Sequence, residues 1–176
     1  MSNTQKTTAE PHLEDLKSSF ARAFQQLVNE IFRLNGQLLT IGDQLSKDVE
    51  VSTARWQVMA AVRTEVMTVA DIARRLKLKR QSVRETANRL QQQDLITFQP
   101  NPRHSRAPLV QLTQQGQKVI NVLRGRQLEL AWQFMQSFDL SIEEIDEVTK
   151  RLRKIQESTE QFDVLNFITD SRKKQP

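Results

Sequence analysis

The chain of 176 residues has the length of a single domain with helical extensions, and 38% hydrophobic and 27% charged residues are typical of a globular protein. The absence of cysteine excludes disulfides, thiolate metal sites and a thiol-based redox switch, and a count of four glycines argues against a loop-rich or β-rich fold. The net charge is +5, no apolar run approaches the roughly 18 residues that span a bilayer, and we find no secretory signal, so we expect a cytoplasmic protein without membrane contact.

The first predicted element is a long amphipathic helix over about residues 12–47. Its apolar residues recur at alternating three- and four-residue steps, which is the pattern of a helix with one apolar face. This stripe is longer than a small core can cover, so we expect part of it to face a second copy of the chain, although a monomeric bundle could also bury it. The stripe consists of Leu13, Leu16, Phe20, Phe24, Leu27, Ile31, Leu34 and Leu38.

Three shorter helices are predicted next. One begins after Ser52 as its N-cap, and another begins after Thr68, with Asp71 placed as a capping-box partner. A turn at Lys77–Lys79 leads to a third short helix with one apolar face. That face is formed by Val83, Ala87 and Leu90.

The periodicity then changes to that of strands. Leu95–Gln99 and Leu109–Leu112 are short β-rich runs, and three prolines between them exclude a helix and predict a hairpin loop. Two short helices, a tight turn and a hairpin with a basic tip form a winged helix-turn-helix pattern over about residues 52–113. The expected fold class is therefore mainly α, with a small β-hairpin wing.

Long helices are predicted again over about residues 114–165. Thr113 is placed to cap the first of them, and Ser141 with Glu144 forms a capping box for the next. We find no internal repeat and no low-complexity linker, so we expect residues 1–176 to form one domain. In that domain the helices outside the winged segment would mediate dimerisation.

Positive charge is concentrated in the winged segment. Residues 66–113 carry nine Lys and Arg against three Asp and Glu, whereas the remainder carries 17 against 18. Such a segment attracts a polyanion, because neutralised phosphates release their condensed counterions. A charge run is commonly no more than a solvated surface, but this one coincides with the winged pattern.

The helix after the turn supplies candidate base-reading residues on the side opposite its apolar face. Arg suits guanine, Asn and Gln suit adenine, and Glu suits cytosine, and the N-terminal part of such a helix enters the major groove. Arg84 could instead solvate an exposed helix or pair with Glu85. We predict base contacts by Arg80, Gln81, Arg84, Glu85 and Asn88, and phosphate contacts by Lys79 and Ser82.

The hairpin tip carries Arg103, His104 and Arg106. A narrow minor groove concentrates negative potential and favours an inserted arginine, so we predict that Arg106 enters it and that Arg103 enters it or rests on a phosphate. His104 is interpreted as a surface or loop-bracing residue rather than a metal ligand.

These motifs resemble the MarR (multiple antibiotic resistance regulator) family of winged-helix repressors. The resemblance is strongest from about Ser52 to Gly116, and it includes the runs Arg55–Met59, Thr68–Leu76 and Asn101–Ala107. It implies a homodimer that binds a pseudo-palindromic operator, with repression relieved by a small aromatic or carboxylate ligand. Two positions depart from the family, because Lys77 stands where glycine is frequent and His104 stands where an acid braces the wing.

The resemblance also implies a ligand pocket between the dimerisation helices and the DNA-binding lobe. Taken singly, Trp56 and Met59 are more often ordinary core residues, and Arg55 could bind a carboxylate or join helices. The matching positions are Leu34, Gln37, Leu38, Arg55, Trp56 and Met59.

Enzymatic motifs are missing from the sequence. We find no glycine-rich phosphate loop, no His-Glu-x-x-His pair and no cysteine nucleophile, so we expect neither an enzyme nor a cofactor or metal site. The alternative to a DNA-binding regulator is a winged-helix module that binds protein or RNA and has no operator of its own.

Overall fold

A computed structural model describes residues 13–137 and 139–173, with side chains as far as residue 168, so residue 12 at the predicted start of the first helix lies outside it. The chain divides into two units between Gln127 and Leu128. The helices and strands are α1 (Leu13–Leu45), a 3-10 turn (Lys47–Val49), α2 (Thr53–Ala61), β1 (Met67–Thr68), α3 (Val69–Leu76), α4 (Arg80–Gln92), β2 (Ile96–Gln99), β3 (Leu109–Leu112), α5 (Gln114–Ser137), α6 (Ile142–Gln161) and α7 (Val164–Lys173).

The core of the first unit is formed by α2, α3, α4, the small sheet and the first half of α5. Each helix has one apolar face, and these faces pack together because their burial removes apolar surface from water. The predicted inward face of α4 is confirmed. Fully buried members of this core include Met59, Ile72, Val83, Ala87, Leu90, Ile96, Val110, Ile120 and Leu123.

The sheet has three antiparallel strands in the order β1-β3-β2. Phe98 and Met67 lie on either side of Val110, which places the buried Val110 at the centre of the sheet. The second strand begins at Ile96 rather than Leu95, because the Leu95 N–H donates to the Leu90 carbonyl oxygen and still belongs to the end of α4 (2.9 Å). The predicted fold class, mainly helical with a small wing, is confirmed.

The helix N-termini mostly follow the predicted capping signals. The Thr68 hydroxyl accepts the Asp71 N–H, and Ser141 with Glu144 makes a complete capping box. Ser52 occupies the predicted N-cap position of α2 but makes no side-chain capping bond. The turn before α4 places Lys77 at φ 54°, in the left-handed region that favours glycine.

The second unit holds the end of α5 together with α6 and α7. Helix α6 ends at Gln161 because Phe162 is extended (ψ 119°). A further helix that the sequence analysis did not predict begins at Val164, after Asp163 has accepted the Asn166 N–H on Oδ1 (3.0 Å). Among the described residues, no helix is both long and apolar enough to cross a membrane.

The apolar stripe of α1 is exposed in the single chain. Phe20 is 73% exposed and Leu13 is 62% exposed, and Phe20 stacks on Phe24 with their ring centroids 6.4 Å apart. Of the 33 residues of α1, Gly42 alone is fully buried, and the half-buried residues are Leu27, Val28, Ile41 and Leu45.

The N-terminus of α5 is held close to the strand that follows α4. The Thr113 N–H donates to the Leu95 carbonyl oxygen (3.1 Å), and a Cβ on Gly116 would lie 1.9 Å from that same oxygen. Gly125 is in the same helix, and a Cβ there meets nothing within 4 Å.

We therefore expect opposite effects from alanine at these two glycines. Gly116→Ala should lower the free energy of unfolding by about 1–3 kcal/mol, because the helix must move away from the backbone of Leu95. Gly125→Ala should raise it by about 0.5–1 kcal/mol, because alanine is the better helix former. Urea unfolding followed by circular dichroism measures both, and an equal change in the two variants would contradict the close approach at Gly116.

Candidate nucleic-acid interface

Helix α4 exposes a polar face on the side opposite its buried apolar face. Its buried side is fixed by the core, so the residues three and four apart on the other side point to solvent. All the residues predicted to contact bases or phosphates in this region are exposed. They are Lys79, Arg80, Gln81, Ser82, Arg84, Glu85 and Asn88.

Three arginines from two separate elements meet beside the N-terminus of α4. Arg80 and Arg84 of α4 and Arg106 of the wing line one small cleft of about 20 Å³. The other lining residues come from the start of α3 and the base of the wing, and none of them is acidic. The residues that line the cleft therefore carry three positive charges and no negative charge, an arrangement that favours a positive potential.

The acidic residue on α4 forms no ion pair with these arginines in the described part of the chain. Glu85 Oε1 accepts a hydrogen bond from Gln81 Nε2 (3.2 Å), so the pair of polar side chains is held together on the exposed face. Within the described part of the chain, no ion pair joins Arg84 to Glu85, which was the alternative interpretation of Arg84. The guanidinium of Arg84 is thus directed to solvent without a carboxylate partner.

The wing is closed by an asparagine rather than by its histidine side chain. Asn101 Nδ2 donates to the Ala107 carbonyl oxygen (2.9 Å), and Asn101 Oδ1 accepts the Arg103 N–H (3.0 Å). Two backbone hydrogen bonds also close this loop, one donated by the His104 N–H and one accepted by the His104 carbonyl oxygen. The His104 side chain is exposed. The Asn101 amide therefore braces the wing, where the family has an acid and this chain has His104. The sequence indicated this role only by placing an asparagine in a turn.

On the other side of the wing, a groove of about 650 Å³ is bordered by two matched ion pairs. Arg74 pairs with Asp71, and Arg75 pairs with Glu65 while also donating to the Ala61 carbonyl oxygen (3.0 Å). The hydrogen bond from the Thr68 hydroxyl, assisted by Arg74, lowers the pKa of Asp71 below its usual value. Because these charges cancel in pairs, the excess positive potential comes from α4 and the wing tip.

The predicted ligand-pocket residues lie in different environments. Leu34, Gln37 and Leu38 are exposed on α1. Met59 has no accessible surface because it fills the core, and the half-buried Trp56 packs against the same core.

Arg55 is engaged by the protein itself. It donates to Ser52 Oγ (3.3 Å) and to Gln93 Oε1 at the end of α4 (2.7 Å), which matches the helix-joining interpretation. A pocket at these positions stays a prediction. No group of three or more His, Cys, Asp or Glu suited to a metal ion occurs in the part of the chain that the structure describes.

Comparison with known proteins identifies the family. A sequence model described as MarR family matches residues 50–107. An uncharacterized protein of Mycobacterium tuberculosis is 35% identical over 101 residues, which cover 57% of this chain and 71% of that protein, and an uncharacterized protein of Mycobacterium bovis matches equally.

Solved structures with the same fold are known. Staphylococcus aureus MarR in complex with salicylate and kanamycin has a TM-score of 0.70 at 16% identity, covering 83% of this chain and 98% of that chain. A MarR/EmrR family transcriptional regulator from Acinetobacter sp. ADP1 has a TM-score of 0.70 at 18% identity, with 78% and 97% covered. A mutant of Escherichia coli MarR complexed with operator DNA has a TM-score of 0.66 at 18% identity, with 74% and 93% covered. The chain belongs to the MarR family and has its winged-helix fold.

The asparagine brace leads to a test of wing order. Asn101→Ala removes two hydrogen bonds, so amide hydrogen exchange across residues 103–107 should accelerate about tenfold, the change expected for about 1.4 kcal/mol of lost protection. Exchange measured by NMR reports it residue by residue.

The matched control is Asn121→Ala, because Asn121 accepts a side-chain hydrogen bond from Gln117 on the exposed surface of α5. It should leave exchange in the wing unchanged. Unaltered exchange at Arg103 in the Asn101→Ala variant would show that the amide does not hold the loop.

Proposed function

We propose that the chain is a sequence-specific regulator of transcription that binds double-stranded DNA as a homodimer at a pseudo-palindromic operator. One observation carries this proposal: Arg80, Arg84 and Arg106 line a cleft without an acid beside the exposed polar face of α4. Such a surface offers cations for phosphates and donors and acceptors for base edges, which a duplex displays side by side. A MarR from Escherichia coli with the same fold has been solved with operator DNA, which supports this proposal.

The roles of the side chains follow from their places on α4 and the wing. The 13 residues of α4 make a helix about 20 Å long that fits a major groove about 12 Å wide. Lys79 and Ser82, at its start, would hold phosphates, while Arg103 and Arg106 of the wing would lie in or beside the minor groove. Base edges would be read by Arg80, Gln81, Arg84, Glu85 and Asn88.

The homodimer is proposed from the uncovered stripe of α1. Large apolar side chains repeat along this helix and are exposed in the single chain, which marks a surface for another protein. A second copy offers the same stripe, and a two-fold axis would place two α4 helices on half-sites about one helical turn apart. The helices outside residues 52–113 would form this contact.

The proposal that a small molecule controls the protein rests on the structure of a similar protein. The structure of Staphylococcus aureus MarR contains salicylate, an aromatic carboxylate. A ligand of that class would act on this chain near the exposed Leu34, Gln37 and Leu38 and near Arg55, and it would relieve repression of a gene in the cytoplasm. The proposed pocket includes all six predicted positions. Because Met59 is buried in the core, a ligand would reach it only after the core rearranges.

Footprinting of the purified protein on its own upstream DNA, with a salt titration, tests the proposal. A symmetric footprint and a steep loss of affinity with salt are expected, because each phosphate contact releases counterions. Salt-sensitive binding without a footprint would reduce the basic face to a nonspecific surface. Failure to bind any duplex would favour the protein- or RNA-binding module.

Arg84 is the residue whose loss should change specificity. We expect Arg84→Ala to weaken operator binding by about 1–3 kcal/mol and to relax the choice of base at one position, with a smaller loss on random duplex. Arg151→Ala is the control of equal charge change, since Arg151 pairs with Glu147 on α6, a helix that carries none of the proposed DNA-contacting residues. Gel-shift titrations give both affinities, and equal losses on operator and random DNA would refute base reading by Arg84.

Arg106 should sense the width of the minor groove. Arg106→Ala is expected to weaken binding most on operators with A·T-rich flanks, where the groove is narrow and its potential most negative. Affinities on duplexes that differ only in the flanks provide the measurement. A loss that is independent of flank composition would place Arg106 on a phosphate instead.

A further inference from the structure

Helix α1 joins the winged lobe (residues 52–113) through a short polar junction near its C-terminal end. We call this junction the elbow, and it consists of Gly42, Asp43, Asp48, Thr53 and Arg126. Most of α1 N-terminal to the elbow is exposed in the single chain, so these residues contribute to the angle between α1 and the winged lobe.

One side of the elbow is a close approach between α1 and the first turn of α2. A Cβ on Gly42 would lie 2.4 Å from Thr53 Oγ1, so only glycine allows this spacing. The backbone N–H of Thr53 donates to Asp43 Oδ1 (2.6 Å), and the Thr53 hydroxyl lies 2.8 Å from the same oxygen. Asp43 of α1 thus accepts the first free N–H of α2, and the Thr53 hydrogen bonds lower the pKa of Asp43.

The other side of the elbow is an arginine fork from α5. Arg126 Nη1 donates to Asp48 Oδ1 (2.6 Å) and Nη2 donates to Asp48 Oδ2 (2.7 Å). Nη1 also donates to the carbonyl oxygen of Leu45, the last residue of α1 (2.7 Å). A planar fork on a carboxylate has one favoured geometry, so the pair restricts orientation more than a flexible lysine contact would.

The elbow is connected to α4 by a short polar path. Thr53 begins α2, and Arg55 in the same turn donates to Gln93, the C-cap residue that follows α4. A change in the angle of α1 is thereby transmitted to α4 through directional bonds. These directional bonds restrain the orientation of α1 in addition to the apolar packing between the helices.

We propose that the elbow is a positioning element that sets the separation of the two α4 helices in the dimer, and so selects the half-site spacing that the protein accepts. The inference rests on the proposed function and deepens it. A rotation of about 10° displaces a group about 20 Å from the pivot by about 3.5 Å, roughly one base-pair rise, so a small change at the elbow shifts the register on DNA. Gly42 and Asp43 act through Thr53, Asp48 and Arg126 act at the end of α1, and none of the four is among the proposed DNA-contacting residues.

A spin-label distance between the two copies tests this directly. The chain has no cysteine, so Gln92→Cys at the exposed end of α4 gives one label in each copy. The parent should give a single narrow distance. Arg126→Gln and Gly42→Ala should each shift that distance or broaden its distribution, because either one releases one side of the elbow.

Two control variants are matched to these changes. Arg124→Gln removes the same charge from the same helix at an exposed position, and Gly36→Ala adds the same methyl group to α1 where nothing lies within 4 Å. Both should leave the distance unchanged. Arg126→Lys should fall between the parent and Arg126→Gln, since an ammonium keeps the charge but loses the fork.

A spacer series gives the functional result. The palindrome that wild-type protein selects from random duplexes is lengthened or shortened by one base pair. The elbow variants should bind the original spacing about tenfold more weakly, as expected if about a tenth of the dimers keep the competent separation, and should discriminate less among spacings. Their affinity for a single half-site should be unchanged.

The outcomes separate the two proposals. Dimers whose distances and spacing preference are unaltered in both elbow variants would overturn the role of the elbow while leaving the DNA-binding function intact. A parent without dipolar coupling would overturn the dimer and this inference with it. Equal losses on half-site and full operator would show that the elbow supports the fold alone and would also overturn the inference.

Discussion

The burial of one face of α4 is the constraint on which the rest of the interface depends. Val83, Ala87 and Leu90 have at most 1% exposure, and burying a side chain such as Val or Leu contributes about 1.5–3 kcal/mol. Rotating α4 about its axis by one residue position would expose these side chains and push Arg84 towards the core, where an unpaired cation is costly. The packing therefore decides which residues face solvent, and the arginines need no contact of their own to be held outward.

The wing adds a second constraint, because its closure carries Arg106 to the N-terminal end of α4. Three arginines that line one small cleft carry like charges, which repel, and no lining residue is acidic. The surrounding fold tolerates this cost because Asn101 and the sheet hold the loop by neutral hydrogen bonds. A bound phosphate would remove the repulsion and gain the attraction, so the same arrangement that destabilises the free protein slightly would favour the proposed complex.

Local signals in the sequence predicted the elements whose determinants lie within a few residues. The buried face of α4, the strand Leu109–Leu112 and the Thr68 and Ser141 caps are of this kind. Long-range determinants were missed: β1 exists because Met67 pairs with Val110, more than 40 residues away, and α2 is capped from α1 by Asp43 rather than by Ser52. The meeting of Arg106 with Arg80 and Arg84 is likewise a product of the tertiary fold. Patterns of period 3.6 or 2 contain no information on which distant surfaces meet.

A dimer is favoured both by the exposed stripe of α1 and by the small number of base-reading residues on one α4. A single copy leaves Phe20 and its neighbours in water, where their exposure offers no stabilisation. A single α4 also carries few side chains that can reach base edges, and each base pair supplies only about 1–3 kcal/mol of discrimination against a genome of competing sites. In the proposed dimer, the contact that buries the two α1 stripes also brings two α4 helices together, so dimerisation covers the apolar surface and doubles the number of base-reading residues. Their combined specificity then depends on a fixed separation, to which directional bonds such as those from Arg126 to Asp48 contribute beside the apolar packing along α1.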